Sequence, residues 1–179
     1  MHSLISDLNK DLFFNIYSLA NQNTTLDNLM IYGADWLIFA AGIAILILSL
    51  LKGAKEKKAL LLIFLSFGIA FILLKTFGLI IYEERPFLEF GLTSLSSMAP
   101  DDSFPSDHTT ILAIIFFCYY YYRSRYAWIF LLILTITGFA RVYVGVHYPS
   151  DILGGIIFAA VAVWLAVYLK NLLEKKLSQ

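Results

Sequence analysis

Long apolar runs broken by short polar stretches set the pattern of this chain. Five segments, 28–51, 59–82, 109–122, 127–143 and 152–169, are almost continuously apolar. A helix needs about 20 such residues to cross the hydrocarbon core of a bilayer, so the pattern predicts five membrane spans. Segment 109–122 is short, and Tyr119, Tyr120, Tyr121 and Tyr122 complete it as an aromatic belt at the interface. Segment 4–20 is different. Leu4, Leu8, Phe13, Ile16 and Leu19 recur near helical spacing, with Ser6, Asp7, Asn9, Lys10, Asp11 and Asn15 between them. That is an amphipathic helix suited to lying in the interface; a short sixth span is the alternative. Residues 21–25 read as a polar turn. The expected fold is all-α: one domain over residues 1–179, a polytopic membrane helical bundle of five spans plus an N-terminal interfacial helix, or six spans with a short first one.

Composition agrees. The chain is 60% hydrophobic and 15% charged, against about half and a quarter in a soluble domain. A formal net charge of zero gives no global field suited to nucleic acid. Cys118 is the only cysteine, which excludes an intramolecular disulfide and argues against a cysteine metal site; it reads as an inert lipid- or helix-facing residue. The start, MHSLISDLNKD, lacks the basic stretch and short apolar core of a cleavable signal, so insertion is expected to rely on the spans. Charge then sets orientation. Lys52, Lys55, Lys57 and Lys58, then Arg123 and Arg125, then Lys170, Lys175 and Lys176 fall on one side of the expected topology. The positive-inside rule makes that side cytoplasmic. Glu83, Glu84, Glu89, Asp101 and Asp102 fall on the other.

Three polar clusters also fall on that outer side: Lys75 with Arg85-Pro86, then Pro105-Ser106-Asp107-His108, then Arg141 with His147 and Asp151. Ionisable groups at membrane depth are costly and need a purpose. Pro149 favours a helix start near residues 148–150, which puts Asp151 in the first turn beside His147. A carboxylate there fixes the imidazole tautomer and frees the other ring nitrogen to attack. Ser106 and Asp107 precede an apolar run, where a helix N-terminus offers N–H groups to an anion. Ser106 caps that helix or donates to a phosphate oxygen, and His108 is placed to protonate a leaving oxygen. Lys75, Arg85 and Arg141 together neutralise a tetrahedral dianion; for Lys75 the competing reading is a pair with Asp35. The loop 83–106, with Pro100 and Pro105, reads as a partly ordered lid. Gly154 and Gly155, with Ala159 and Ala160, read as close helix packing, Trp36, Trp128 and Trp164 as anchors or packing residues, and Asp27 as a cap or interface residue. Taken together the polar set is an inventory for phosphoryl transfer. A non-catalytic lipid-phosphate binder or transporter needs the cations without two histidines, and a purely structural subunit needs neither.

The three clusters, in order and spacing, resemble the signature of the type 2 phosphatidic acid phosphatase superfamily of integral membrane lipid phosphatases, over residues 75–155. The resemblance implies that His147 is a nucleophile forming a phosphohistidine, with Asp151 orienting it and His108 protonating the leaving group. It implies that Lys75, Arg85, Ser106, Arg141 and the backbone of Asp107 bind the substrate phosphate, with no metal or other cofactor. Asp107 stands where glycine is frequent, and Ala140 where serine often precedes the arginine. The forms FPSDH and ARVYVGVHYPSD look most like the bacterial undecaprenyl-diphosphate phosphatase branch. The implied partner is a phosphorylated lipid in the bacterial cytoplasmic (inner) membrane, met at the outer face. Undecaprenyl diphosphate is the preferred substrate, a lipid A 1-phosphate the runner-up and phosphatidylglycerophosphate third.

Overall fold

The computed structural model describes residues 2–78, 82–97 and 101–177. Among these, eight helices follow one another: α1 His2–Tyr17, α2 Thr24–Asp35, α3 Leu37–Leu51, α4 Ala54–Gly78, α5 Pro86–Glu89, α6 Asp107–Tyr121, α7 Ala127–Tyr143 and α8 Pro149–Leu177. The described residues form no strand, only an isolated bridge between Glu84 and Asp102.

Helix α6 is the axis of the bundle, packed against α4, α7 and α8. Its Leu112, Ala113, Ile114, Ile115, Cys118 and Tyr119 are buried, so the lone cysteine faces helices. Buried Ala159, Ala162 and Ala166 line one face of α8, and small residues let backbones approach closely. Gly154 and Gly155 continue that face, as expected, whereas Ala160, expected to pack with them, is turned away from it and exposed. A Cβ on Gly154 would stand 2.4 Å from the Phe104 ring, and one on Gly155 would stand 2.9 Å from the Ser106 carbonyl oxygen. The outer surface is apolar: Leu61, Phe64, Phe71, Ile72, Leu132, Leu153 and Ile157 are all exposed. Bare apolar surface on this scale, on helices that satisfy their own backbone, is what a lipid solvent requires. Trp36, Trp128 and Trp164 are exposed as well, which fits anchors and not packing residues.

Helices α4 and α8 are each long and apolar enough to cross a membrane, and α7 is a shorter apolar helix. The expected single span 28–51 is broken: α2 and α3 meet at a 50° bend. The cause lies on α7. Thr137 Oγ1 donates to the Gly33 carbonyl at 3.0 Å, a Cβ on Gly33 would be 3.2 Å from that of Ala140, and Asp35 pairs with Arg141. Helix α2 is thus drawn onto α7 while α3 runs alongside α4. Asn23 starts α2, its side chain accepting from the N–H groups of Thr25 and Leu26. At the other boundaries α4 begins at Ala54 and α8 runs on to Leu177; the end of expected span 59–82 falls on residues 79–81, outside the described residues. Helix α1, with 16 residues, is about 24 Å long, short of the roughly 30 Å hydrocarbon core. Part of the 83–106 connection is ordered by α5 and by bonds to the α7–α8 loop, Leu95 N and Ser94 Oγ both donating to the Val144 carbonyl; residues 98–100 lie outside the described set.

Candidate active site

The sharp loop between α7 and α8 carries His147. Gly145 sits there at φ +87, and a Cβ would be 2.9 Å from the Tyr17 ring, so both the backbone angle and the close approach call for glycine. Helix α8 then begins at Pro149, as proline at a first turn predicts. Asp151, fully buried, lies in that turn. Its Oδ2 accepts from Tyr148 N at 2.8 Å and Ser103 Oγ at 2.5 Å, and faces His147 Nδ1 at 3.3 Å.

On the other side of the ring, His147 Nε2 lies 3.2 Å from Arg85 Nη1 and 3.4 Å from Arg141 Nη2. A guanidinium only donates, so Nε2 presents its lone pair and Nδ1 carries the proton, directed at Asp151. Burial first, then the charges of Arg141 and Arg85, hold the His147 pKa well below its usual value. The imidazole is therefore neutral at physiological pH.

Both arginines are fixed from behind. Arg85 has the extended conformation expected before Pro86, and its Nη1 donates to the Val146 carbonyl at 3.0 Å. Its Nε and Nη2 hold Asp101 Oδ1 at 2.9 and 2.8 Å. Arg141, wholly buried, pairs through Nη1 with Asp35 Oδ1 at 3.1 Å, and Ser96 Oγ donates to that carboxylate at 2.9 Å. Asp35 thus belongs to Arg141, which removes the competing Asp35–Lys75 reading.

The segment before α6 packs on the same loop. Ser106 N donates to the Asp151 carbonyl at 3.2 Å. Ser106 occupies the N-cap position, yet its hydroxyl makes no capping bond; it accepts from Thr109 Oγ1 at 3.1 Å. Of the two readings of Ser106, side-chain capping is corrected. His108, in the first turn of α6, lies where the charges of Arg141, His147 and Arg85 reach it. Lys75 and Asp107 meet this arrangement through Asp101, the partner of Arg85. They line an adjacent cavity of about 470 Å³ with Phe71, Phe104 and Asp101, and Lys75 Nζ is 5.9 Å from the Phe71 ring centroid.

Helix α1 braces the assembly. Asn9 exchanges two hydrogen bonds with Ser150, at 2.8 and 3.0 Å. Lys10 pairs with Glu89 at 2.6 Å, Tyr148 Oη donates to the same carboxylate, and Tyr17 Oη donates to the Thr93 carbonyl at 2.8 Å. Glu83 lies close by. Burial, then repulsion from Asp151 and Asp102, raises its pKa to about 7.

Sequence reasoning missed Ser103, Asp101 and the role of Asp35. Ser103 and Asp101 lie in a loop without periodicity, and the only signal for either was closeness to the Pro-Ser-Asp-His cluster.

A neutral imidazole whose Nε2 lone pair faces two buried guanidinia suits nucleophilic attack on a phosphate ester or anhydride that those cations would hold. Residues 59–175 match the PAP2 superfamily. The chain is 30% identical over 168 residues to undecaprenyl-diphosphatase BcrC of Bacillus subtilis (strain 168), covering 93% of this chain and 86% of that one. It is 38% identical over 69 residues to a lipid A 1-phosphatase of Rhizobium etli, covering 38% of this chain and 30% of the relative. The crystal structure of Aquifex aeolicus LpxE superposes with a TM-score of 0.66 at 24% identity, over 90% of this chain and 95% of that one. The helical frame, the polar clusters and these matches converge: the chain belongs to the PAP2 superfamily and is a lipid phosphatase.

Proposed function

We propose that this protein removes the terminal phosphate of a lipid-linked diphosphate, with undecaprenyl diphosphate as its preferred substrate, through a phosphohistidine on His147. The observation that carries the mechanism is the placement of His147 Nε2 against both guanidinia, with Nδ1 turned to Asp151. The terminal phosphate displaces Asp101 from Arg85 and takes hydrogen bonds from Arg85 and Arg141, with Ser106 and the Asp107 backbone at its edge and Lys75 meeting the rest of the headgroup across the adjacent cavity. Nε2 attacks phosphorus, the bond to the bridging oxygen breaks, and His108 delivers a proton to the departing lipid monophosphate. Water, deprotonated by His108, then cleaves the P–N bond and regenerates the neutral imidazole. The cations stabilise charge growing on the equatorial oxygens, usually a large catalytic contribution. Because the cavity beside Lys75 is walled by Phe71, Leu74 and Phe104, the lipid reaches the site sideways, with its tail left in the bilayer.

The topology that accompanies this reading has five spans, formed by α2–α3 (one bent span), α4, α6, α7 and α8, in the bacterial inner membrane. The site faces outward, opposite the basic loops. The diphosphate preference is supported by a relative matched over nearly the whole chain; a lipid A 1-phosphate is the second reading, supported by a shorter but more identical match. Phosphate release by the purified protein from undecaprenyl diphosphate, lipid A and phosphatidylglycerophosphate tests this, with the first expected to give the highest kcat/KM. Acid-labile, base-stable labelling from a terminally radiolabelled substrate, absent in His147→Ala, tests the intermediate. Turnover by His147→Ala at the wild-type rate would overturn the mechanism.

A further inference from the structure

The opposite end of the bundle holds a second feature that the phosphatase chemistry does not use. Between the ends of α6, α7 and α8 runs a groove of about 800 Å³, floored by Ala160 and walled by Phe117, Trp128 and Trp164, with Arg123 and Arg125 at its mouth. The two indoles are 63% and 66% exposed, so the groove opens to the surroundings of the bundle. Ala160 lies about 15 Å along α8 from Lys170, which carries the apolar part well into the hydrocarbon layer. The occupant must therefore come from the bilayer.

The mouth is built rigidly. The α6–α7 turn places Arg123 at φ 52, in the left-handed region. Ser124 N donates to the Tyr119 carbonyl at 3.0 Å, and Ser124 Oγ donates to the buried Glu56 carboxylate at 3.0 Å. Arg125 stacks on Tyr126 at 5.1 Å and gives one N–H to its hydroxyl at 3.2 Å. A guanidinium has five N–H donors, so its fork retains capacity for an anion. The chain has four arginines: two converge on His147, and the other two flank this groove, while the remaining cations at this end are lysines. Lys52, Lys55, Lys57, Lys58, Arg123, Arg125, Lys170, Lys175 and Lys176 face only Glu56 and Glu174 there, a surplus of seven positive charges (nine minus two). Basic pockets between membrane helices suit anionic headgroups, and the arginine fork matches phosphate oxygens.

We infer that this groove is a binding site for an anionic glycerophospholipid, one acyl chain lying against Trp128 and Trp164 and the phosphate held by Arg123 and Arg125. The test uses intrinsic fluorescence. In full-length Trp36→Phe protein only Trp128 and Trp164 remain as indoles. The protein is reconstituted in phosphatidylcholine vesicles doped, at one low mole fraction, with either bromine-labelled phosphatidylglycerol or bromine-labelled phosphatidylcholine. The anionic lipid should quench strongly and the zwitterionic one only as bulk solvent does. Each arginine near an anionic headgroup favours it by about fivefold, so Arg123→Gln/Arg125→Gln should reduce the preference about 30-fold or abolish it. Ala160→Phe, which fills the groove far from His147, should remove the preference while lipid phosphatase activity persists. This second variant keeps the test decisive if loss of the arginines disturbs insertion. Equal quenching by the two lipids, or an undiminished preference in Ala160→Phe, would overturn the site.

Discussion

Asp35→Ala isolates what holds Arg141 in place. Arg141 is wholly buried and Asp35 Oδ1 stands 3.1 Å from its Nη1, but the Asp35 side chain is 30% exposed. Exposed ion pairs are worth about 0–1 kcal/mol, whereas removing one partner of a fully buried pair costs about 3–5 kcal/mol. The half-wet carboxylate places this pair between the two, at about 1–3 kcal/mol, or roughly 5–150-fold in kcat/KM if the loss is felt when Arg141 meets the phosphate. Asp35→Asn keeps an acceptor for Arg141 and should fall by less than Asp35→Ala. The assay is phosphate release from a lipid diphosphate in detergent micelles, with the melting temperature of each variant measured in parallel. A double-mutant cycle decides the mechanism. If Asp35 works through Arg141, Asp35→Ala in an Arg141→Ala background changes kcat/KM no further. Equal factors in both backgrounds would refute the reasoning.

Three further outcomes follow from the same geometry. Ser103→Ala removes a hydrogen bond to the buried Asp151 carboxylate; such bonds are worth about 1.5–3 kcal/mol, so kcat should fall at least tenfold with KM little changed, as steady-state kinetics will read. Asp101→Asn weakens the carboxylate that occupies Arg85; that residue is largely exposed, so the gain is limited to about 1 kcal/mol and appears as a KM up to about fivefold lower. Glu83 has a folded-state pKa raised from 4.5 to about 7, so its protonated form favours the fold: its contribution is full below pH 4.5 and lost as pH rises through about 7. Melting curves between pH 5 and 8 should therefore fall less steeply in Glu83→Gln than in the wild type, and parallel curves would contradict the assignment.

The sequence made the helices legible because lipid-facing and helix-facing positions are both apolar, and hydropathy alone marks α4, α7 and α8 to within a few residues at most ends. The same property hid the break at Trp36. An apolar run 28–51 carries no sign that Gly33 and Asp35 are drawn toward α7, because the cause lies more than a hundred residues away. At the candidate site the His147–Asp151 pair was readable, since a four-residue spacing across a helix start joins them whatever the rest does. Arg85 and Arg141 were readable as cations without a bland explanation. Their rear partners were not: Asp101 comes from a loop whose path is set by tertiary contacts, and a linear reading offers Asp35 to Lys75 and not to Arg141, 106 positions away. Lys75 lines a cavity together with Asp101 and Asp107, a neighbourhood that its place inside an apolar run does not reveal.

The bonds between Asn9 and Ser150 join residues 141 positions apart. Helix α1 thus gains this one partner only once the chain between the two residues has been made. Until the first turn of α8 is made, Asn9 lacks Ser150, while Lys10 already has Glu89 within reach. Docking of α1 draws on two places far apart in sequence, Glu89 and Ser150, so Ser150→Ala should loosen this helix without releasing it.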